Sequence, residues 1–394
     1  MSTMEVDVLG MDKKNNKDMI KNPEYDDIRP YYEEEIPAAM QRIAESDVFP
    51  LLASFVYPTE PLEEVRKLVR SFKTVQEFQH DTMRRVNEQI ISRSISDFSV
   101  SGLERLSPNK HYLFVSNHRD IMLDASLLQY YFVLNGFDTT EITFGANLMM
   151  HPVVIDVGKC NKMFKVARPS SDIKEFYRNS MHLSEYIRYT ITEKGQSVWI
   201  AQRNGRTKNG IDQTDQGIIK MFCMSDSKDK IRALAELNIV PIAISYEWES
   251  CDILKSLELY ESQYTKYTKK PGEDLNSILT GILQPKGHVH IAICQPIRMA
   301  ELSAFERQTN NEYHKSVAKL IDSRINMAYR LYPNNYIAHD ILYGNTRYQS
   351  MYTEQEYDLF CKHLAKLDRY EDTCDIERLR EIFIGIYANP VDNR

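Results

Sequence analysis

The stretch Tyr112-Leu113-Phe114-Val115-Ser116-Asn117-His118-Arg119-Asp120-Ile121-Met122-Leu123-Asp124 decides how this chain is read. An apolar run delivers a histidine to a polar turn. Two carboxylates follow, and then a second apolar run, Leu127 to Val133, begins. The pattern predicts a buried strand, a turn and a helix, with His118 just past the strand's carboxyl end. A carboxylate on the first turn of the helix can hold the proton of one ring nitrogen. The other nitrogen is then free to take a proton from a hydroxyl. Asp124 and Asp120 are both candidates for that carboxylate, and Asp124 is favoured because it sits where the apolar helix begins. No serine or cysteine nucleophile is needed if the substrate brings its own hydroxyl, so the pattern points to group transfer onto an alcohol.

Outward from this stretch, residues 96–298 alternate short strands with helical patterns. The expected strands are His111–Ser116, Glu141–Phe144, Phe164–Ala167, Ser197–Ala201, Ile239–Ser245 and His288–Ile293, and the clearest helices are Ile173–Thr190 and Asp215–Met224. This alternation predicts an α/β fold, a mixed central sheet with flanking helices, whose ligands gather at the carboxyl ends of strands. Residues 25–95 form an N-terminal helical region; from 28 to 100 the chain reads as helical, with Leu62, Val65, Val69, Phe72, Val75, Met83, Val86 and Ile90 at three- and four-residue steps. Residues 299–394 return to helix as a C-terminal extension, with Tyr313, Val317, Leu320, Ile321, Ile325 and Ala328 on one stripe. Residues 1–24 are polar and read as a disordered tail.

Composition narrows the class. A chain of 394 residues, 42% apolar and 27% charged, is long enough for a sizeable core. A net charge of −7 argues against nucleic acid as a partner, so any anion must be met by a local cationic cluster. The six cysteines are scattered without CxxC pairs, which argues against a thiolate metal site and fits a reducing cytoplasm. The start of the chain has no apolar signal-peptide core, and no apolar run approaches the ~18–20 residues that span a bilayer. The expected location is the cytoplasm, with peripheral contact on the inner membrane face as the only membrane association.

The cationic cluster is expected from Arg168, which closes one strand, and from Arg206 and Lys208, in the glycine-containing turn 203–210 after Val198-Trp199-Ile200-Ala201. Arginine forks at strand ends, beside a turn whose amides can face a ligand, suit phosphate. His118-Arg119-Asp120 begins like the kinase catalytic loop, but Ala125 stands where that signature has asparagine, and neither a DFG nor a glycine-rich loop is present. His288 and His290 share a strand face without a third ligand, so no metal is expected.

These blocks, in this order, resemble the glycerol-3-phosphate and lysophospholipid acyltransferase superfamily, with the nearest likeness to its bacterial glycerol-3-phosphate acyltransferases. Residues 117–124 are similar to the family's HX4D block. Phe144-Gly145-Ala146-Asn147-Leu148 resembles its G-x-N-L segment, and Phe164 to Arg168 its F-x-I-x-R block. Gly205-Arg206-Thr207-Lys208 resembles its glycine-arginine turn, Val240 to Glu247 its V-P-I block, and Gly287 to Ile297 its closing strand. The likeness covers residues 92–298. Two features depart from the family: Asp124 follows His118 after five intervening residues instead of four, and Gln202-Arg203-Asn204 lacks the glutamate that precedes the family's glycines.

The resemblance implies acyl transfer from acyl-CoA or acyl-carrier protein to a hydroxyl of glycerol 3-phosphate or a related glycerolipid, in phospholipid biosynthesis and without a cofactor. It also implies His118 as base, with Gly205, Arg206, Lys208 and Arg168 on the acceptor's phosphate. A lysophosphatidate or other lysolipid acyltransferase is the nearest alternative, followed by a thioester hydrolase and a non-catalytic lipid-binding relative.

Overall fold

The computed structural model describes residues 21–394. The polar tail expected over residues 1–24 lies, up to residue 20, outside the described residues. Its last residues join the core: Asn22 caps the 3-10 turn Pro23–Tyr25, and Tyr25 is buried against Tyr186 and Tyr189.

Seven strands form one sheet: β1 (Ile95–Ser101), β2 (Leu113–Ser116), β3 (Glu141–Gly145), β4 (Met163–Val166), β5 (Val198–Ala201), β6 (Ile239–Tyr246) and β7 (Gly287–Ile293), in the order β1-β7-β6-β2-β5-β3-β4. All neighbours are parallel except β6 and β7. The fold class is therefore the expected mixed α/β sheet. Parallel strands are covered on both faces and so read as unbroken apolar runs; β6 is buried along its whole length.

The departure is β1. Its segment, Ile95-Ser96-Asp97-Phe98-Ser99-Val100-Ser101, alternates with period two and pairs in parallel with β7 at the sheet edge, where the helical reading had run on to residue 100. Phe98 and Val100 pack on the core beneath that edge, and the preceding helix stops at Ser94.

The principal helices are α1 (Ile36–Glu45), α2 (Phe49–Val56), α3 (Leu62–Ser71), α4 (Arg84–Ser94), α5 (Leu123–Leu134), α6 (Pro152–Cys160), α7 (Ile173–Thr192), α8 (Gln216–Met224), α9 (Asp252–Tyr264), α10 (Glu273–Leu283), α11 (Asn310–Ala328), α12 (Pro333–Tyr343), α13 (Glu354–Leu364) and α14 (Ile376–Asp392). Helix α5 lies on one face with α4, packing Leu123, Leu127, Leu128 and Phe132 over Phe114, Trp199 and Ile242. Its buried Gln129 and Ser126 are satisfied by Thr140 and Asn87. Helices α7, α8 and α11 cover the other face over Val115, Ile200 and Ala243.

The C-terminal extension is thus divided. Helix α11 belongs to the sheet's own core, whereas α12, α13 and α14 build a separate layer with α9 and Trp248. The chain leaves β2 for one face of the sheet and β5 for the other, so a crevice opens beyond the carboxyl end of β2. Among the described residues no helix is long and apolar enough to cross a membrane.

Candidate active site

His118 lies two residues past the end of β2, in the turn that leads into α5. Asn117 anchors this turn. Its side-chain amide donates to the Ile244 carbonyl at 3.0 Å and to Asp212 at 2.8 Å, and its oxygen accepts from the Ile244 amide at 2.7 Å. The end of β2 is thereby stitched to β6.

The structure brings Asp124 to the ring: Oδ2 lies 2.9 Å from His118 Nδ1. The same oxygen accepts the backbone amides of Arg119 at 2.7 Å and Asp120 at 3.0 Å. With that oxygen accepting from two amides, the arrangement suits Nδ1 as donor to it, and Nε2 has no hydrogen-bond partner among the described residues. The other oxygen, Oδ1, accepts from the Tyr246 hydroxyl at 2.9 Å. Burial first, and then the charges of Asp124 and Asp120, push the Tyr246 phenol well above its ordinary pKa, so it stays a donor. The His118 ring is half-buried and meets Trp199 edge-on, with centroids 6.0 Å apart.

Asp120 is not on the ring. One oxygen accepts the amides of Met122 and Leu123, both at 2.8 Å, and fixes the start of α5; the other accepts from Ser250. Of the two carboxylates, geometry gives Asp124 to the histidine and Asp120 to the helix.

Arg119, between them, is fully buried. Its guanidinium bonds Asp212 at 2.7 Å, Glu249 at 3.1 Å and the Gly210 carbonyl, and lies 5.0 Å from the centre of the Tyr329 ring. Burial works against that charge, but Asp212, Tyr329 and Glu249 outweigh it and leave the Arg119 pKa well above its ordinary value. Lys255 on α9 pairs with Glu249 and donates to the Arg119 carbonyl at 2.7 Å. The C-terminal layer joins this cluster through Tyr387, whose hydroxyl accepts the Glu249 amide at 3.1 Å.

The cationic residues separate into different roles. The turn after β5 sits against His118, with the Thr207 amide donating to the His118 carbonyl at 2.7 Å. Gly205 has φ +77°, a left-handed conformation suited to glycine. Arg206 keeps Nη1 buried without a partner. Arg168 is exposed and donates to Asn204 Oδ1 at 2.8 Å, which places it on the rim. Lys208 is engaged within the fold: its ammonium pairs with Glu258 on α9.

Other buried polar atoms also lack partners here: Asn147 Oδ1 after β3, Trp199 Nε1 on β5, Gln202 Nε2 and Thr207 Oγ1. Strand alternation puts Trp199 on the His118 side of the sheet and Gln202 on the other. Buried polar atoms are seldom left unpaired. Trp199 meets the His118 ring and the Thr207 amide bonds its carbonyl, so with Arg206 next to Thr207 in the chain the turn around His118 carries unpartnered N–H and O–H donors, a set suited to an anion.

The remaining motifs are structural. His290 binds Ser99 through Nδ1 at 2.8 Å and Ser101 through Nε2 at 3.0 Å, so neither ring nitrogen faces a metal. Among the described residues no group of three or more His, Cys, Asp or Glu could hold a metal ion. Burial pushes the thiols of Cys160 and Cys251 up, the opposite of an activated nucleophile.

Sequence reasoning missed Tyr246 as the third member of the His118–Asp124 constellation, and Asp212, Glu249 and Lys255 as partners around Arg119. The available signal was slight: Tyr246 closes the β6 run and Glu249 follows it within three residues, while nothing local marks Asp212 or Lys255. Replacing Tyr246 with phenylalanine leaves Asp124 Oδ1 buried without a donor, and the expected loss is about 1–3 kcal/mol of unfolding free energy, read by denaturant titration.

No protein-family model and no curated protein matches the sequence. Among solved structures, the chain is similar to the 1-acyl-sn-glycerophosphate (LPA) acyltransferase PlsC from Thermotoga maritima, with 14% identity over 73% of this chain and 94% of that one, at a TM-score of 0.36.

Proposed function

We propose that this chain is an O-acyltransferase that moves a fatty acyl group from acyl-CoA or acyl-carrier protein to a hydroxyl of glycerol 3-phosphate or a related glycerolipid. The observation that carries this reading is His118, with Nδ1 held by Asp124 and Nε2 left free, beside unpartnered donors and with no hydroxyl or thiol of the chain bonded to it among the described residues. The sequence blocks around these residues support the same chemistry.

Nε2 takes the proton of the acceptor hydroxyl as its oxygen attacks the thioester carbonyl. The new C–O bond forms, the carbonyl oxygen becomes an oxyanion facing donors such as Thr207 Oγ1 and Trp199 Nε1, and the C–S bond breaks to release thiolate. The imidazolium returns its proton to the thiolate. Asp124 holds the tautomer and stabilises the transient positive ring. Arg206 meets the acceptor's phosphate, with Arg168 at the rim.

The test is an acceptor screen of glycerol 3-phosphate, lysophosphatidate and other lysolipids against acyl-CoA and acyl-carrier protein, with products read by mass spectrometry. Release of free fatty acid without acylated product would replace transfer with hydrolysis; no turnover with any pair would remove the reading. Arg206→Ala is expected to raise KM for a phosphorylated acceptor by about 10–100-fold, the scale of a hydrogen bond to a charged group. Arg168→Ala, at the exposed rim, gives a smaller rise. Unchanged KM in both variants would remove the phosphate role.

A further inference from the structure

Helix α10 faces the wrong way for a core helix. Its buried residues are small, Ser277 and Gly281, while its leucines look outward: Leu275 is 60% exposed, Leu279 49% and Leu283 64%. At steps of four these side chains form one ridge. On its inner side the helix roofs the candidate active site. Asp274 accepts from the Asn147 side chain at 2.7 Å, and Gly281 sits so close to Asp120 that a Cβ would lie 2.2 Å from its carboxylate.

The rim continues in apolar groups. Met150, three residues after Asn147, is 86% exposed, and Ile173, five residues after Arg168, is 82% exposed. The loops carrying them touch, because a Cβ on Gly145 would lie 3.9 Å from the Arg168 guanidinium carbon. Cations flank this ridge. Lys266, Lys269 and Lys270 are exposed in the connection from α9 to α10, and Lys174 and Arg178 on the first turns of α7. Lys269 is paired with Asp274, which leaves Lys266 and Lys270 as the unpaired cations of the connection; of the acids nearby, Glu273 accepts from the Tyr267 hydroxyl, Glu175 from Ser170 and Asp172 from the amides at the start of α7, and Glu261 is exposed on α9. A row of three leucines this exposed on one helix is unusual on a soluble surface. An apolar ridge bordered by lysine and arginine is the pattern of a helix lying in the interface of an anionic bilayer.

We infer that helix α10, with the connection that leads into it, is a membrane-docking element that seats the mouth of the His118 crevice on an anionic lipid surface, with Leu275, Leu279 and Leu283 in the acyl boundary and Lys266 and Lys270 at the headgroups. The choice of occupant rests on the acyl-transfer reading, whose substrates are amphiphiles; binding itself is measured without turnover.

The experiment is flotation of the full chain with vesicles of phosphatidylglycerol and phosphatidylethanolamine, or of phosphatidylcholine alone. The wild type is expected to float with the anionic vesicles, less so as salt rises, and poorly with phosphatidylcholine. Leu275→Asp with Leu279→Asp is expected to weaken binding at least about tenfold. Lys266→Glu with Lys270→Glu is expected to weaken it and to flatten the salt dependence. His118→Ala is expected to float like the wild type, so lost turnover and lost docking are told apart. Circular dichroism confirms that the leucine variant is folded, as fits side chains already in solvent. Failure of the wild type to float would overturn the inference, as would undiminished flotation of the folded leucine variant. A wild-type dimer that this substitution converts to monomer would overturn it too, by assigning the ridge to a second copy of the chain.

Discussion

If the proposed general-base role holds, His118→Ala is expected to lower kcat by about 10²–10⁴-fold, the contribution typical of a positioned general base. The protein stays folded, because the ring makes a single hydrogen bond, to Asp124, and is half-buried at the edge of the crevice. Asp124 keeps its two backbone amides and the Tyr246 hydroxyl in the variant, so the turn retains its shape. The measurement is single-turnover acyl transfer at saturating acceptor, alongside thermal unfolding. A variant with the wild-type rate would end the general-base assignment; one with the wild-type Tm and a rate reduced a thousandfold is the expected result. KM for the acceptor should change little, since the ring acts on the proton and not on the phosphate.

The second large effect lies one residue along. Arg119→Met removes one of two cations, Arg119 and Lys255, from a buried cluster that they form with Asp212 and Glu249. Breaking one side of a buried pair leaves a carboxylate uncompensated, which costs about 3–5 kcal/mol. Against a total stability of about 5–15 kcal/mol, that is a large fraction. Restoring the balance by adding Asp212→Asn is expected to recover part of the loss, so the double variant is more stable than the sum of the singles predicts. Denaturant unfolding of all three variants measures this coupling. A loss under about 1 kcal/mol for Arg119→Met would show that the cluster contributes little.

Much of this was legible in the sequence because it is local. β6 reads as a strand since a parallel strand is buried on both faces, and His118 and Asp124 are only six residues apart, across a strand–turn–helix junction. The choice between Asp120 and Asp124 was not settled there. It depends on where α5 begins, and the start at Leu123 puts Asp124 inside the first turn while Asp120 supports it from outside. Partners distant in sequence were not legible. Tyr246 is 122 residues from Asp124, and Glu249 is 130 from Arg119. The partner of Lys208 was not legible for the same reason: Glu258 arrives 50 residues later, on a helix that no pattern in the turn announces. β1 was missed because period-two alternation directly after an amphipathic helix was absorbed into the helical reading.

The bond from the Thr207 amide to the His118 carbonyl gives the crevice a fixed gauge. In the proposed reaction, proton abstraction and phosphate capture fall to two segments joined by this 2.7 Å bond, which holds the two turns close together. On that proposal, acceptors are expected to be sorted by how many bonds separate the reacting oxygen from the anion. What hangs beyond that span, such as a fatty tail, lies outside the caliper.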